Sequence, residues 1–114
     1  KKVPVFFIEK NRTELIDKIK DQVPSAIFPE LNSKLSCPAL VTALASRLET
    51  AVSIDNGIMH MIGLAKIPMI VLFGPTSSEK FAPKNKYIRV LDSKKIHNTK
   101  NIDSIEVDEV LSLI

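Results

Sequence analysis

The most constraining feature is the run Pro68-Met69-Ile70-Val71-Leu72-Phe73, apolar throughout and closed by Gly74. It is of strand length and carries no polar position, so neither face can be left in water. Strands of this kind belong to parallel sheets covered by helices on both sides. Four further short runs have strand character: Val3 to Ile8, Ser25 to Phe28, Thr50 to Ile54 and Tyr87 to Leu91. Helical patterns separate them. Asn11 is placed as an N-cap, followed by Leu15, Ile16 and Ile19 at helical spacing and stopped by Pro24. Glu30 to Cys37 is polar and reads as a loop, after which Pro38 opens a helix with Leu40, Val41, Leu44 and Leu48 on one face. Gly57 to Lys66 is apolar nearly all round and predicts a helix covered on most sides, with Met59 and Met61 in the core beside Met69. Val107 to Ile114 predicts a short closing helix. This alternation predicts an α/β chain with a Rossmann-like, doubly wound parallel sheet. In such sheets ligands bind beyond the carboxyl ends of the strands. Three segments are then of interest: Glu9 to Asn11, Asp55 to His60 and Gly74 to Ser78.

The 114 residues suit one domain, 1–114. Cys37 is the single cysteine, which excludes an internal disulfide or a cysteine-based zinc cluster; just before a proline-led helix it reads as a small buried hydrophobe. No apolar stretch approaches the ~18 residues of a membrane span. The N-terminal apolar run stops at Glu9, too soon for a secretory signal. A net charge of +3 suits an anionic small molecule or a membrane surface and does not argue for nucleic acid. Aromatics are sparse, five Phe, one Tyr and no Trp, which does not point to a stacking platform for bases. Lys84, Lys86, Arg89, Lys94, Lys95 and Lys100, diluted by Asp92, form a basic stretch with two readings: attraction to anionic lipid, or the commoner solvated loop face. His97 reads as a surface residue.

The densest chemistry lies in Ser53-Ile54-Asp55-Asn56-Gly57-Ile58-Met59-His60. A strand ends, the backbone turns, and a helix begins whose free N–H groups and dipole favour an anion such as a diphosphate. Asp55 at the strand tip can accept hydrogen bonds from sugar hydroxyls, and His60 follows one and a half turns on. The plainer alternative makes Asp55 or Asn56 an N-cap and His60 a satisfied core residue. The next strand ends in Phe73-Gly74-Pro75-Thr76, a rigid turn followed by the hydroxyls of Thr76 and Ser77; the plainer alternative is an ordinary Gly-Pro turn with Thr76 capping a helix. Gly57 and Gly74 sit where a backbone turns sharply or approaches a ligand closely. Two adjacent strand tips with such turns favour a site over chance.

The stretch from Ser53 to Pro83 resembles the C-terminal domain of glycosyltransferase family nine, the ADP-heptose:lipopolysaccharide heptosyltransferases. The family pattern is a strand, D-[ST]-G-x-x-H, an apolar helix, a proline-led strand and [FY]-G-P-T. Asp55, Gly57, His60, Pro68, Phe73, Gly74, Pro75 and Thr76 match it in order and spacing, with Asn56 in place of the usual hydroxyl residue. The resemblance implies a GT-B glycosyltransferase of two Rossmann-like domains. Its C-terminal half holds a nucleotide-diphosphate sugar of the ADP-heptose type, and the N-terminal half holds the acceptor, a lipid-linked saccharide, with the catalytic base. It implies inversion at the anomeric carbon with no metal and no other cofactor, in the cytoplasm, with peripheral inner-membrane contact. Carried onto this chain, Asp55 and His60 would contact the sugar or its phosphate. The Asn56 and Gly57 amides would bind the diphosphate, with Gly74 and Thr76 at the neighbouring tip. Glu9, or else Glu14, would meet the ribose, and the backbone from Phe28 to Glu30 would flank the adenine. The chain starts at what corresponds to that domain's second strand. It is therefore expected to be a fragment, inactive alone and without catalytic residues, lacking the first strand and the acceptor domain. The rival reading is a non-catalytic Rossmann-type module that binds a nucleotide or a protein partner.

Overall fold

The structure, a computed structural model, describes residues 2–32 and 38–114. The chain divides into two compact units, Lys1–Leu40 and Val41–Ile114. The expectation for Cys37, and most of the loop expected before Pro38, lie outside the described residues.

In the first unit, the two N-terminal apolar runs meet in parallel through a single bridge between Val5 and Ile27. Phe6 N–H donates to the Ile27 carbonyl at 2.9 Å, and Ile27 N–H to that of Pro4 at 2.9 Å. The runs are shorter than expected because Pro24 and Pro29 bracket the second and remove two donors from any longer ladder. Helix α1 spans Thr13–Gln22. It starts one residue later than the Asn11 cap predicts: Arg12 stands at the N-cap, its side chain makes no capping bond, and its N–H closes a turn onto the Glu9 carbonyl at 3.0 Å. Ile16 and Phe28 are buried, and Phe28 stacks on Phe6 with ring centroids 5.7 Å apart. Where a loop was expected, Pro29–Asn32 forms a short helix, α2, with proline at its first position.

The second unit is built on a three-stranded, all-parallel sheet of order β1-β2-β3, with β1 Ala51–Ile54, β2 Met69–Phe73 and β3 Ile88–Asp92. Helices flank it, as the α/β, Rossmann-like reading requires. The apolar run occupies the middle strand, where Met69, Ile70, Val71 and Phe73 are buried. Ile54 pairs with Leu72 and Phe73 with Asp92, so the carboxyl ends of the three strands share one edge. Helix α3, Pro38–Ala45, starts at its proline, and its Thr42 hydroxyl donates to the Met61 carbonyl at 2.8 Å.

Helix α4, Gly57–Gly63, packs on β1 and β2. It is less enclosed than its apolar sequence predicts. Met59 and Ile62 are buried, Met61 is only half-buried, and His60 and Leu64 are exposed. The helix has one sheet to lie on, so one stripe of it is covered. Helix α5, Ser78–Phe81, is the one the plainer reading of the Gly74-Pro75 turn offered, capped by Ser77 and not by Thr76; the sequence did not announce α6, Ser93–Ile96, a single turn too short for an apolar period to register. The closing helix α7 is Val107–Leu111.

Phe73 has no exposed surface, whereas Leu64 is 73% exposed. Phe73→Ala should cost about 3–5 kcal/mol, and Leu64→Ala should stay within about 0.5 kcal/mol. Urea unfolding of the two variants checks this.

Candidate functional site

Three strand tips lie side by side along the carboxyl edge of the sheet. At the tip of β1, Asp55 is half-buried. Asn56 has extended backbone and caps α4: its Oδ1 accepts from Met59 N–H at 3.0 Å. Asn56 is therefore the N-cap that the plainer reading offered, and Asp55 is left beside it. His60 is exposed on the second turn of α4 and is not the satisfied core histidine of that reading.

Neither of the two glycines has a positive φ, so the turns do not demand glycine for their backbone angles. They differ in what surrounds them. A Cβ on Gly57 would meet no atom within 4 Å among the described residues, so the first peptide of α4 is open to an approaching ligand. A Cβ on Gly74 would lie 2.8 Å from Ile102 Cβ and 2.9 Å from the Lys100 carbonyl oxygen. The close approach at Gly74 is thus made by the chain's own segment around residues 100–102.

The third tip is the one sequence reasoning missed. Asp92 ends β3, is 3% exposed, and caps α6. Its Oδ2 accepts from the Ser78 hydroxyl at 2.7 Å. Its Oδ1 accepts from Lys94 N–H at 3.0 Å and pairs with the Lys94 ammonium at 2.9 Å. Lys94 Nζ also donates to the carbonyls of Gly74 and Thr76, tying the β3 tip to the β2 turn. Burial pushes the Asp92 carboxyl up. The hydrogen bonds from Ser78 and Lys94 and the Lys94 charge outweigh it and hold the group below its ordinary value. The available signal was Asp92-Ser93-Lys94 directly after an apolar run, the same grammar as Asp55-Asn56-Gly57 after β1.

Lys95 pairs with Glu79 at 3.1 Å, and the Lys86 ammonium sits 5.3 Å from the Tyr87 ring centroid. The basic stretch is thus partly spent inside the unit. His97 is exposed, as expected, and its Nε2 lies 2.6 Å from Glu109 Oε1. Glu109 also accepts from the Glu106 N–H at 3.1 Å. That backbone bond, then the one from His97, holds its carboxyl below the ordinary value.

The structure thus brings Asp55, Asn56, Gly57 and His60 to one strand tip and helix start, and Gly74 and Thr76 to the next. Glu9 belongs to the other unit, where it is exposed.

The sequence profile of glycosyltransferase family 9 (heptosyltransferase) matches residues 3–109. The chain belongs to glycosyltransferase family 9. It is also similar to a lipopolysaccharide heptosyltransferase 1 of Campylobacter coli, at 30% identity over 93 aligned residues that take in 75% of this chain. The chain spans about a quarter, 27%, of that relative's length. No solved structure matches the chain significantly. Among the described residues, no helix is long and apolar enough to cross a membrane. For this family-9 chain the tips of β1 and β2 carry the residues that drew attention in the sequence, and β3 supplies the ion pair behind them.

The two glycines should separate in mutagenesis. Gly74→Ala should destabilise by about 1–3 kcal/mol, because rigid backbone stands in the way. Gly57→Ala should stay within about 1 kcal/mol of the parent. Thermal unfolding measures both. The pH dependence of stability should also carry the Asp92 signature. Its folded value is depressed, so its contribution is present above the unfolded value near 3.8 and is lost as pH falls through the lower folded value. Acid titration of stability should therefore show a drop at low pH that Asp92→Asn removes.

Proposed function

We propose that this chain is the donor-binding part of a family-9 glycosyltransferase. In this reading it forms the C-terminal half of a GT-B enzyme that transfers heptose or a related sugar from a nucleotide-diphosphate sugar to a lipopolysaccharide core acceptor. The observation that carries the reading is the pairing of two turns at neighbouring parallel strand tips, Asp55-Asn56-Gly57 and Gly74-Pro75-Thr76. The first has a helix start with open space beside Gly57.

The chemistry assigned to these residues is binding. The N–H groups at the start of α4 meet the diphosphate, and the short helix adds its positive end to theirs. Asp55 accepts from sugar hydroxyls, and His60 contacts the sugar or its phosphate. Gly74 and Thr76 form the adjoining wall. The acceptor and the catalytic base belong to an N-terminal domain beyond these residues, and a cytoplasmic position peripheral to the inner membrane goes with a lipid-linked acceptor. Membership in family 9 supports the reaction class, and similarity to a heptosyltransferase supports the sugar class.

The test is a titration of the intact protein with ADP, UDP and ADP-heptose, followed by amide shifts. The expected result is saturable shifts at Asp55 to Gly57 and at Thr76 with ADP, and weak shifts with UDP. Asp55→Ala should fold normally and lose donor affinity by at least about tenfold. Gly57→Ala, neutral for stability, should weaken ADP as well. A folded protein that shows no shift with any of the three overturns the reading in favour of a module that binds a partner by other means.

A further inference from the structure

Among the described residues, Lys94 is the one cation that touches both the second and third strand tips. Its charge is already engaged. Asp92, almost fully buried, holds it at 2.9 Å, and the carbonyls of Gly74 and Thr76 take its remaining donors. An ammonium has three donors, so this arrangement saturates it. Lys94 is therefore poorly suited to grip a phosphate itself, despite lying in the basic stretch. What it does control is the direction of the β2 turn.

The peptide bonds here are trans, and in a trans peptide the C=O and the following N–H point in opposite directions. With the Thr76 carbonyl drawn back to Lys94, the Ser77 N–H is turned outward. Thr76 and Ser77 are both exposed, and among the described residues neither N–H has a partner. Pro75 has no N–H to offer, so Thr76 and Ser77 carry the amides that follow Gly74 in this turn. Behind Lys94, Asp92 is fixed by the Ser78 hydroxyl and by the Lys94 N–H, so the ammonium is anchored at three points of one rigid corner.

We propose that Lys94, held by Asp92, is a positioning residue for the nucleotide-sugar donor. It orients the turn Gly74-Pro75-Thr76 so that the Ser77 amide points away from Lys94, toward the ligand, with the Thr76 amide beside it. This rests on the donor-binding reading given above and adds to it a residue that does not touch the ligand. Removing the ammonium frees two carbonyls and lets the turn rotate. It also leaves a buried carboxylate unpaired, which costs stability of its own. The neutral pair Asp92→Asn with Lys94→Gln separates the two effects. It keeps a donor at position 94 and an acceptor at position 92, and buries no lone charge.

The experiment compares the intact parent protein, Lys94→Met, the double variant and Asp55→Ala, with ADP as the probe. Amide spectra are recorded before and during titration, with thermal unfolding alongside. In Lys94→Met the ligand-free amides of Thr76 and Ser77 should move while those of Ile70 and Val71 stay in place. Its ADP dissociation constant should rise about tenfold. The double variant should return to within about threefold of the parent. At higher salt the ratio between parent and Lys94→Met should stay constant, since no charge on the ligand is being met directly. Unmoved Thr76 and Ser77 amides, or parental ADP affinity in a folded Lys94→Met, overturns the proposal. So does a ratio that shrinks as salt rises, which marks direct phosphate contact. If Lys94→Met does not fold, the double variant decides: ADP affinity more than tenfold below the parent in a folded protein rejects positioning by hydrogen bonding. If the parent itself does not bind ADP and Asp55→Ala changes nothing, the donor reading fails, and the ligand-free amide shifts still report whether Lys94 sets the turn.

Discussion

Everything in the second unit hangs on the burial of β2, of which only Leu72 keeps partial exposure. Met69, Ile70, Val71 and Phe73 leave no polar position on either face, and both edges of the strand are occupied by parallel partners. A strand like this cannot be satisfied by a hairpin, because its neighbours must run the same way and must be connected by crossovers. Helices then become obligatory cover. Parallel pairing also brings the carboxyl ends of β1, β2 and β3 to one edge, and those ends are where the polar residues begin. The candidate site is thus a consequence of an apolar strand.

Polar groups at that edge divide into those spent on the fold and those left over. Asn56 is spent on capping α4, and Ser77 accepts from the Lys80 N–H to cap α5. Asp92 and Lys94 are spent on each other, on Ser78 and on the β2 turn. Asp55, His60 and the opening peptide of α4 are left over: Asp55 is half-buried, His60 is exposed, and the space beside Gly57 is open. A buried carboxylate is tolerated at Asp92 because three donors reach it, and the same donors keep it ionised. The apparently basic character of residues 84–100 therefore divides between internal pairing and solvent, which a charge count along the chain does not separate.

Much of the second unit was readable from residue order. The boundaries of β1 to β3 fall within one residue or so of the runs Thr50–Ile54, Pro68–Phe73 and Tyr87–Leu91, because proline, glycine and charged residues punctuate them. The first unit was read less well. Its two runs have strand composition, but prolines truncate the ladder to one bridge, and the cap stands at Arg12, whose amide bonds the Glu9 carbonyl, and not at Asn11. The one-turn helices α2 and α6 were invisible, since a single turn cannot display a period of 3.6, and α5 was legible only through its turn chemistry, with the cap one residue off.

The sequence by itself determined the class of the fold, the presence of a parallel sheet, and the two motifs Asp55 to His60 and Phe73 to Thr76, whose spacing already resembled family 9. These are local properties: apolar runs, punctuation and short-range spacing. Tertiary structure alone decided which glycine is crowded and which is open, that Met61 and Leu64 escape the core, and that Asp92 and Lys94 belong to the β2 turn. Those outcomes depend on what crosses over from elsewhere in the chain. Residues 100–102 fill the space at Gly74, and Lys94 reaches back twenty residues to the carbonyl of Gly74, distances in sequence at which no local pattern carries information.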